Sequence, residues 1–452
     1  MNYKRILLSA AIVLTAVSGA GAQSLFDFDL PGLFSRQDTQ VEENPLKLEY
    51  NIDFQYFLDY RDFSVSENIF AMSNIYHIAR FSPSIIFRYN QDSKLTHRAI
   101  LGVDLTKNLG EVPTEEENYS ASEHSQGLRN YNLFKDIFFY YQLRAKAGNG
   151  MIDFYAGIHP RSVLRGDYAR AVLADDIIYY DPNIEGLTIK YTAPKFSAEI
   201  TGDYLGRRGL DRLGAVMALS AGAWQPYRWL SAGWSGAFTH VMGNYFASCN
   251  VDNAVFNPYV KLDAASFLHM QEFSAKAGPV ATFQFDHYIE GETPHFPMGF
   301  EGVLSIRHWN IGIEDTYYYG DDLMTYMNGD YAPVSKNATY ASTLYSGQSF
   351  YFTRRSVPTW YNRAEVYYAP SLNDLLKIRF SGVAHFVTPA GDIGPFIGWQ
   401  AKASVMFNLD AFRTRPESVR EQARRGSDRR DGRSGERRQG RERRSGGPII
   451  SL

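Results

Sequence analysis

The sequence predicts an all-β protein, a transmembrane antiparallel up-and-down β-barrel of about 16 strands. The first observation is residues 46–60, where all eight even positions are apolar and the odd positions are mostly polar or charged. A β-strand directs successive side chains to opposite faces, so this stretch has one apolar face and one polar face. Similar stretches recur as far as residue 409, separated by alternately short and long connections, a rhythm typical of membrane barrels. The third observation is an export signal at the N-terminus.

The length and composition of these stretches favour a membrane barrel over a soluble sandwich. Residues 46–60 are about twice as long as a globular strand of ~5–6 residues, and a tilted membrane strand needs ~9–11. Aromatic residues make up 15% of the chain, with 31 Tyr and 30 Phe, and such side chains concentrate where a membrane meets water. The mean hydropathy of −0.32 excludes a helical membrane protein, which needs several apolar runs of ~20 residues.

The export signal occupies residues 1–22. Lys4 and Arg5 precede the only long apolar run, Ile6–Val17, and Ala20–Ala22 forms an A-x-A cleavage site. The sequence therefore predicts a cleaved signal peptide, with an uncleaved anchor helix as the alternative.

Three further segments follow the signal. Residues 23–45 are polar and acidic and form a predicted periplasmic lead-in, and 46–412 form the barrel. Residues 413–452 hold 13 Arg and six acidic residues with few large apolar side chains, a composition that predicts a disordered periplasmic tail. Export argues against nucleic acid as its partner, whereas an anionic periplasmic partner stays open. The sole cysteine, Cys249, excludes an internal disulfide.

The alternation predicts 17 strands in a first pass, one too many for a barrel whose termini lie on the same side of the membrane. We therefore expect 16 strands, with 14 and 18 as alternatives, and Val260–Ala277 forming one strand rather than two. The candidate strands after 46–60 are 76–89, 95–105, 132–145, 151–159, 185–192, 196–205, 210–222, 228–241, 257–267, 269–277, 280–288, 299–307, 310–319, 360–369, 374–386 and 396–409.

The final strand, 396–409, mirrors the first and is followed by Phe412. Closure of a barrel requires the first and last strands to pair, so 46–60 should pair with 396–409. Its even positions should meet lipid, and Glu49 and Asp53 should face the lumen.

The connection 160–183 is the strongest candidate for a functional segment. It contains two short apolar runs, 171–174 and 177–180, which a fully solvated loop would not need. We interpret it as a loop folded into the barrel, with an ordinary external loop as the alternative. Opposed charges inside a pore set its charge preference, and the predicted pore-constriction residues are Arg161, Arg165, Asp167, Arg170, Asp175 and Asp176.

Two other loop features have alternative interpretations. The connection 320–358 is rich in aromatic residues, which could stack on sugars or simply pack the loop on the barrel rim; these are Tyr326, Tyr331, Tyr340, Tyr345, Phe350, Tyr351 and Phe352. The acidic pairs Asp175-Asp176 and Asp321-Asp322 could bind Ca²⁺, although paired loop acids are more often solvated.

The sequence lacks the motifs of common enzyme classes. It has no His-Glu-x-x-His, no Gly-x-Ser-x-Gly and no cysteine cluster. We therefore expect no catalytic residues, no metal site and no cofactor. A hydrolase site assembled from separate strands would not be visible in sequence, so an envelope enzyme is the third alternative for function.

With the signal, the strand pattern and Phe412 together, residues 46–412 resemble a Gram-negative outer-membrane β-barrel of the porin-like group. The segments 166–171 and 179–186 are similar to uncharacterised barrel proteins of Bacteroidetes-type bacteria. The resemblance implies a location in the cell outer membrane, surrounded by its lipid. The basic tail departs from the family pattern, in which the terminal aromatic residue ends the chain.

The predicted function is a porin-like channel for the passive diffusion of small hydrophilic solutes, with its lumen narrowed by residues 160–183. The alternative is a non-transport barrel with a surface-binding or structural role. An oligomer is open in either case.

Overall fold

A computed structural model gives the fold of the chain over twelve ranges. The described residues are 46–64, 73–91, 94–109, 137–179, 181–206, 214–243, 250–327, 344–345, 347–348, 359–370, 375–389 and 395–409. The predicted signal peptide, the lead-in 23–45, Cys249, Phe412 and the tail 413–452 lie outside these ranges. Within the described residues, no helix has the length and apolar character needed to span a bilayer.

The structure is built almost entirely from long antiparallel strands. They are β1 (Leu46–Phe63), β2 (Asn74–Asn90), β3 (Leu95–Val103), β4 (Leu105–Asn108), β5 (Ile137–Ala147), β6 (Gly150–Pro160), β7 (Asn183–Ala193), β8 (Phe196–Gly206), β9 (Gly214–Tyr227), β10 (Leu230–Met242), β11 (Asn250–Asp263), β12 (Glu272–Asp286), β13 (Met298–His308), β14 (Ile311–Gly320), β15 (Thr359–Tyr368), β16 (Leu376–Val387) and β17 (Phe396–Asn408). One short α-helix, α1 (Ala265–Leu268), lies between β11 and β12.

The strands form one closed sheet. β3 and β4 continue each other across Asp104 and both pair with β2, so the barrel has 16 strands. β1 pairs with β17 on one side, Phe57 lying opposite Ser404, and with β2 on the other, Phe57 lying opposite Ile78. The predicted fold class, strand number and pairing of first and last strands are confirmed.

The connections alternate in length, which gives the barrel two different ends. At the short-turn end, β5 and β6 are joined by two residues and β7 and β8 by another two. At the long-loop end, β6 and β7 are joined by residues 161–182 and β14 and β15 by 321–358. This alternation matches the rhythm expected of an up-and-down membrane barrel.

The expected strand pattern between 242 and 288 is wrong in detail. The predicted connection 242–256 contains the first half of β11, and the candidates 269–277 and 280–288 are one strand, β12, which runs through Gly278-Pro279. Val260–Ala277 is not one strand, because it contains the end of β11, α1 and the start of β12. The surplus strand therefore came from counting β12 as two strands, one on each side of Gly278-Pro279.

The two faces of the wall differ as the alternation predicted. In β2, the outward-facing Ile85 and Phe87 are about half exposed, at 50% and 47%, whereas the inward-facing Arg80 and Ser82 are only 5% and 6% exposed. In β1, the even positions Leu48 and Tyr50 are exposed at the outer face while Gln55 and Asp59 are buried inside. An apolar exterior around a polar interior is the arrangement of a transmembrane barrel.

Candidate functional site

The candidate site is the barrel interior around residues 161–182, here called the β6–β7 segment. It begins with a turn of 3-10 helix, Arg161–Val163, and contains a second, Asp175–Tyr179. Its apolar residues Ala171 and Val172 have no exposed surface. Most of the following contacts join the segment to an inward-facing side chain of the wall, and the others lie within the segment or at its end.

Arg161 fixes the start of the segment to the wall. Its Nη2 lies 2.8 Å from Asp203 Oδ2 on β8 and 2.6 Å from Asp181 Oδ2, and it donates to the Asn183 carbonyl at 2.9 Å. The guanidinium is almost fully buried. Burial raises the pKa of Asp181 to about 6, with Arg161 acting to lower it and Asp203 to raise it. Arg161 therefore joins the two ends of the segment.

Glu199 on β8 holds the next part of the segment through its backbone. Its carboxylate accepts hydrogen bonds from the N–H groups of Arg165, at 3.0 Å, and Gly166, at 2.8 Å, and from the Tyr168 hydroxyl at 2.9 Å. A Cβ on Gly166 would collide with the Ala221 side chain. Glycine is therefore required where the segment approaches the wall this closely.

Asp167 bridges two neighbouring strands. Its carboxylate lies 3.0 Å from Lys261 Nζ on β11 and 2.8 Å from Lys276 Nζ on β12. Burial alone would raise the pKa of Asp167, but the two lysine charges outweigh it and lower the pKa below its usual value. Asp167 is therefore a carboxylate at neutral pH.

Arg170 and Asp175 reach the opposite side of the barrel. Arg170 Nη1 lies 2.8 Å from Asp175 Oδ2, and its Nη2 lies 2.9 Å from Glu314 Oε1 on β14 and 4.0 Å from Glu365 Oε2 on β15. The Arg170 charge lowers the pKa of Asp175 to about 2. Asp175 is therefore ionised at neutral pH. Its side chain keeps 67% of its surface exposed, so this negative charge is accessible from the lumen. The side chain of Asp176 lies outside the described residues.

These contacts show that four of the six predicted site residues meet the interior wall directly, Arg161 and Arg165 on β8, Asp167 on β11 and β12, and Arg170 on β14 and β15. Asp175 is held through Arg170. β8, β11 and β12 lie on one side of a 16-stranded circle, and β14 and β15 lie further round it. The C-terminal part of the segment contacts β1 and β2, where Tyr179 packs on Phe57 with ring centroids 5.1 Å apart. The segment therefore touches the wall at several separated points.

An apolar sector lines part of the interior. It consists of buried residues on the inward faces of β9 to β12, of the chain packed on them, and of Tyr318, Tyr361, Val387 and Ile397 on β14 to β17. Its strand residues include Ala215, Met217, Leu219, Ala237, Val241, Val251, Val255 and Val280; its other members are Ala169, Ala171 and Val172 of the β6–β7 segment and Leu323, Met324, Tyr326, Leu344 and Tyr345 between β14 and β15.

A charged sector lies on the inward faces of β14 to β17 and β1. Glu365 is at its centre, 2.7 Å from Arg363 Nη2 and 2.7 Å from Arg379 Nη2. Asp175 and Asp59 both interact electrostatically with Lys402. The wall side chains of this sector are Asp59, Arg61, Glu314, Arg363, Glu365, Arg379 and Lys402.

Sequence reasoning missed the wall partners of the segment. Glu199, Glu314, Glu365 and Lys261 each lie on the polar face of a strand with an apolar opposite face. That position marks a residue as lumen-facing, and it was the one available signal. It does not reveal which loop residue the charge meets.

The two loop alternatives have partial outcomes. Tyr326 and Tyr345 are fully buried, and the Tyr345 hydroxyl accepts hydrogen bonds from Gln284 Nε2 and the Tyr326 N–H, both at 3.1 Å. They pack the interior and offer no face to a sugar; Tyr331, Tyr340 and 350–352 lie outside the described residues. Among the described side chains, no group of three or more His, Cys, Asp or Glu could hold a metal ion.

No family model and no curated protein matches the chain. Among solved structures, it is similar to OmpTdeltaL8, a loop deletion mutant of the outer membrane protein OmpT of Vibrio cholerae, with a TM-score of 0.45 and 8% identity over 81% of this chain and 100% of that one. It is also similar to Salmonella typhi OmpF in complex with daunomycin (TM-score 0.42, 11% identity, 81% and 98% covered) and Pseudomonas aeruginosa OccK3 (0.39, 8%, 80% and 95%). The resemblance to Bacteroidetes-type barrels stays a prediction. At this level of likeness, only the geometry of the chain itself carries a functional conclusion.

Proposed function

We propose that this protein is an outer-membrane channel through which small hydrophilic solutes diffuse passively, and that the β6–β7 segment narrows its lumen. The outer face of exposed apolar side chains supports a lipid surrounding. A barrel of 16 strands is wide enough to leave an aqueous channel.

One observation carries the proposal. The β6–β7 segment contacts inward-facing residues on both β8 and β14, and beside these contacts Asp175 remains 67% exposed. Charged side chains of both signs flank that exposed carboxylate. A hydrated passage next to the segment, lined by opposed charges, is the geometry of a selective constriction.

The six residues predicted from sequence divide into different proposed roles. Asp175 and Arg170 face the charged sector and would act directly on permeating ions. Arg161 and Asp167 hold the segment in place through buried or bridging ion pairs. Arg165 lies towards the short-turn end, beside Glu199 near the start of β8.

Conductance in planar bilayers tests the proposal. The purified full-length protein should produce discrete conductance steps, and deletion of 163–178 should increase the step size because the lumen widens. An equal-length deletion of 112–127, in another long connection, controls for shortening the chain. Unchanged conductance and ion selectivity after deletion of 163–178 would reject the constriction.

A non-transport barrel is the second candidate, favoured by the apolar sector. Its buried side chains come from the wall and from two connections at once, and they fill that part of the interior at the long-loop end. If the remaining space were also closed, wild-type protein would give almost no conductance, and deletion of 163–178 would create it.

A further inference from the structure

A cavity of about 410 Å³ opens at the short-turn end, beneath the deepest part of the β6–β7 segment. It lies between that segment and the wall from β7 to β11. Its volume is within the range of ~300–1,000 Å³ typical of small-molecule sites.

Basic side chains outnumber acidic ones in the lining. The five basic residues are Arg165, Lys190, Lys195, Arg228 and Lys261, and the three acidic ones are Asp167, Glu199 and Asp263. Lys276 adds another positive charge just behind, bound to the same carboxylate as Lys261. The local charge is therefore positive.

Each acidic lining residue already has a partner. Asp167 is shared by Lys261 and Lys276, and Glu199 accepts hydrogen bonds from the backbone of the β6–β7 segment. Asp263 Oδ1 accepts a hydrogen bond of 2.9 Å from the Ala265 N–H. Of the three, only Asp167 is paired with cations; Glu199 and Asp263 keep their negative charge, which the more numerous basic side chains of the lining outweigh.

Three of the basic side chains are exposed and keep their charge available. Among the described residues, Arg165, Lys195 and Arg228 have no side-chain ion pair, and all three are exposed. Lys190 is compensated by Glu199 and Asp153, although its charge also repels that of Arg165. Arg165, Lys195 and Arg228, which have no such partner among the described residues, favour an anionic ligand between them.

We propose that this cavity binds a small organic anion bearing carboxylate or phosphate groups, held by Arg165 and Arg228. The guanidinium groups suit such ligands because each can donate two parallel hydrogen bonds. Tyr259 and Trp229 in the lining offer apolar surface to the carbon skeleton. The site does not depend on ion conduction, so it can exist in an open or a closed barrel.

Isothermal titration calorimetry of the full-length protein in non-ionic detergent, with citrate as the probe, tests the proposal at low ionic strength. We expect saturable binding that weakens at least about tenfold in Arg165→Gln, since charge-assisted hydrogen bonds are lost. Arg228→Gln should weaken binding in the same direction. Lys377→Gln is the matched control, because it removes an exposed positive charge from β16 at the same end but outside the cavity; its affinity should change less than about twofold.

Three outcomes would overturn the proposal: no saturable citrate binding, equal losses in Arg165→Gln and Lys377→Gln, or binding only of a lipid phosphate. The last is separated by titrating phosphatidylglycerol in the same detergent. If it binds in an Arg165-dependent way while citrate does not, the cavity takes a lipid headgroup rather than a soluble anion. Since calorimetry needs no conductance, failure of the channel proposal would leave this result interpretable.

Discussion

The apolar and charged sectors of the barrel interior hold the β6–β7 segment in different ways. In β9, inward and outward positions are both apolar, as with Leu219 and Val216, whereas β1 carries Asp59 and Arg61 inward and Leu58 outward. Exposing the apolar inner face of a barrel strand to water is unfavourable in free energy. Such a strand therefore indicates that another part of the chain covers it from inside.

The magnitudes decide which sector fixes the segment. Burial of one Val, Leu or Met side chain stabilises by ~1.5–3 kcal/mol, and the apolar sector contains several. Exposed ion pairs such as Arg170–Asp175 contribute ~0–1 kcal/mol each. The apolar sector should therefore fix the position of the segment more strongly than the charged sector does, in addition to the ion pairs of Arg161 and Asp167 with the wall. The charged sector sets which ions pass beside the segment.

The largest expected effect comes from placing a charge in the apolar sector. Val172→Asp puts an unpaired carboxylate where the side chain has no exposed surface, which disfavours the packed position of the segment by several kcal/mol. Limited proteolysis should then cut within 163–178. The control Ser162→Asp, at an exposed position of the same segment, should stay resistant. Equal resistance of both variants would show that Val172 does not fix the segment.

A smaller loss of stability should follow from removing apolar volume on the inner face. Leu219→Ala leaves a cavity at a side chain that is 1% exposed and should lower the unfolding free energy by about 2–5 kcal/mol. Leu187→Ala, at an outward position that is 51% exposed, should cost less than about 1 kcal/mol because lipid or detergent refills the space. Urea unfolding of both variants measures the difference, and equal losses would contradict an occupied apolar sector.

In the charged sector, Asp175→Asn should change selectivity rather than stability. Removing this exposed charge leaves Arg170 and Lys402 less compensated, so preference should move towards anions by roughly twofold. Reversal potentials in a salt gradient measure it. Asp62→Asn, at an exposed outer position of β1, is the control, and a shift as large in this variant would argue against a passage beside Asp175.

The smallest expected effect is a pH dependence from Asp181. Its pKa is raised to about 6 by burial, so the carboxylate gains a proton as the pH falls from 7.5 to 5, and cation preference should fall with it. The same raised pKa gives a stabilising contribution that is fully present below about pH 4 and is lost as the pH rises through about 6. Asp181→Asn should lack this step. Asp175, whose pKa is about 2, stays charged throughout.

Most of the wall could be predicted because alternation is a local property of the sequence. β1 and β17 were recognisable from their own residues, and closure determined that they pair. The region from β11 to β12 could not be predicted in this way. Pro258 and Gly278-Pro279 face each other where the pairing between these strands is interrupted, and a Cβ on Gly278 would collide with the Pro258 carbonyl. In the sequence alone, Gly278-Pro279 cannot be distinguished from a turn between two strands, although in the structure it marks a close approach of β12 to β11.

The candidate site was predictable only in part, for a similar reason. The apolar run 171–174 indicated a loop that packs on something, and that inference needs only nearby residues. Its partners come from β8, β11, β12 and β14, and the ion pair between Arg170 and Glu314 joins residues 144 positions apart. Which charges meet depends on the registers of many strands, which alternation alone does not determine.

A disulfide between the segment and the wall tests the central claim most directly. The Ala169 N–H donates to Ser235 Oγ on β10 at 3.1 Å, so cysteines at both positions, in a Cys249→Ser background, should cross-link under mild oxidation in native membranes. Near-complete cross-linking with unchanged conductance is the predicted result. Failure to cross-link, with both cysteines reacting freely with a membrane-impermeant thiol reagent, would show that the segment does not lie against the inner wall.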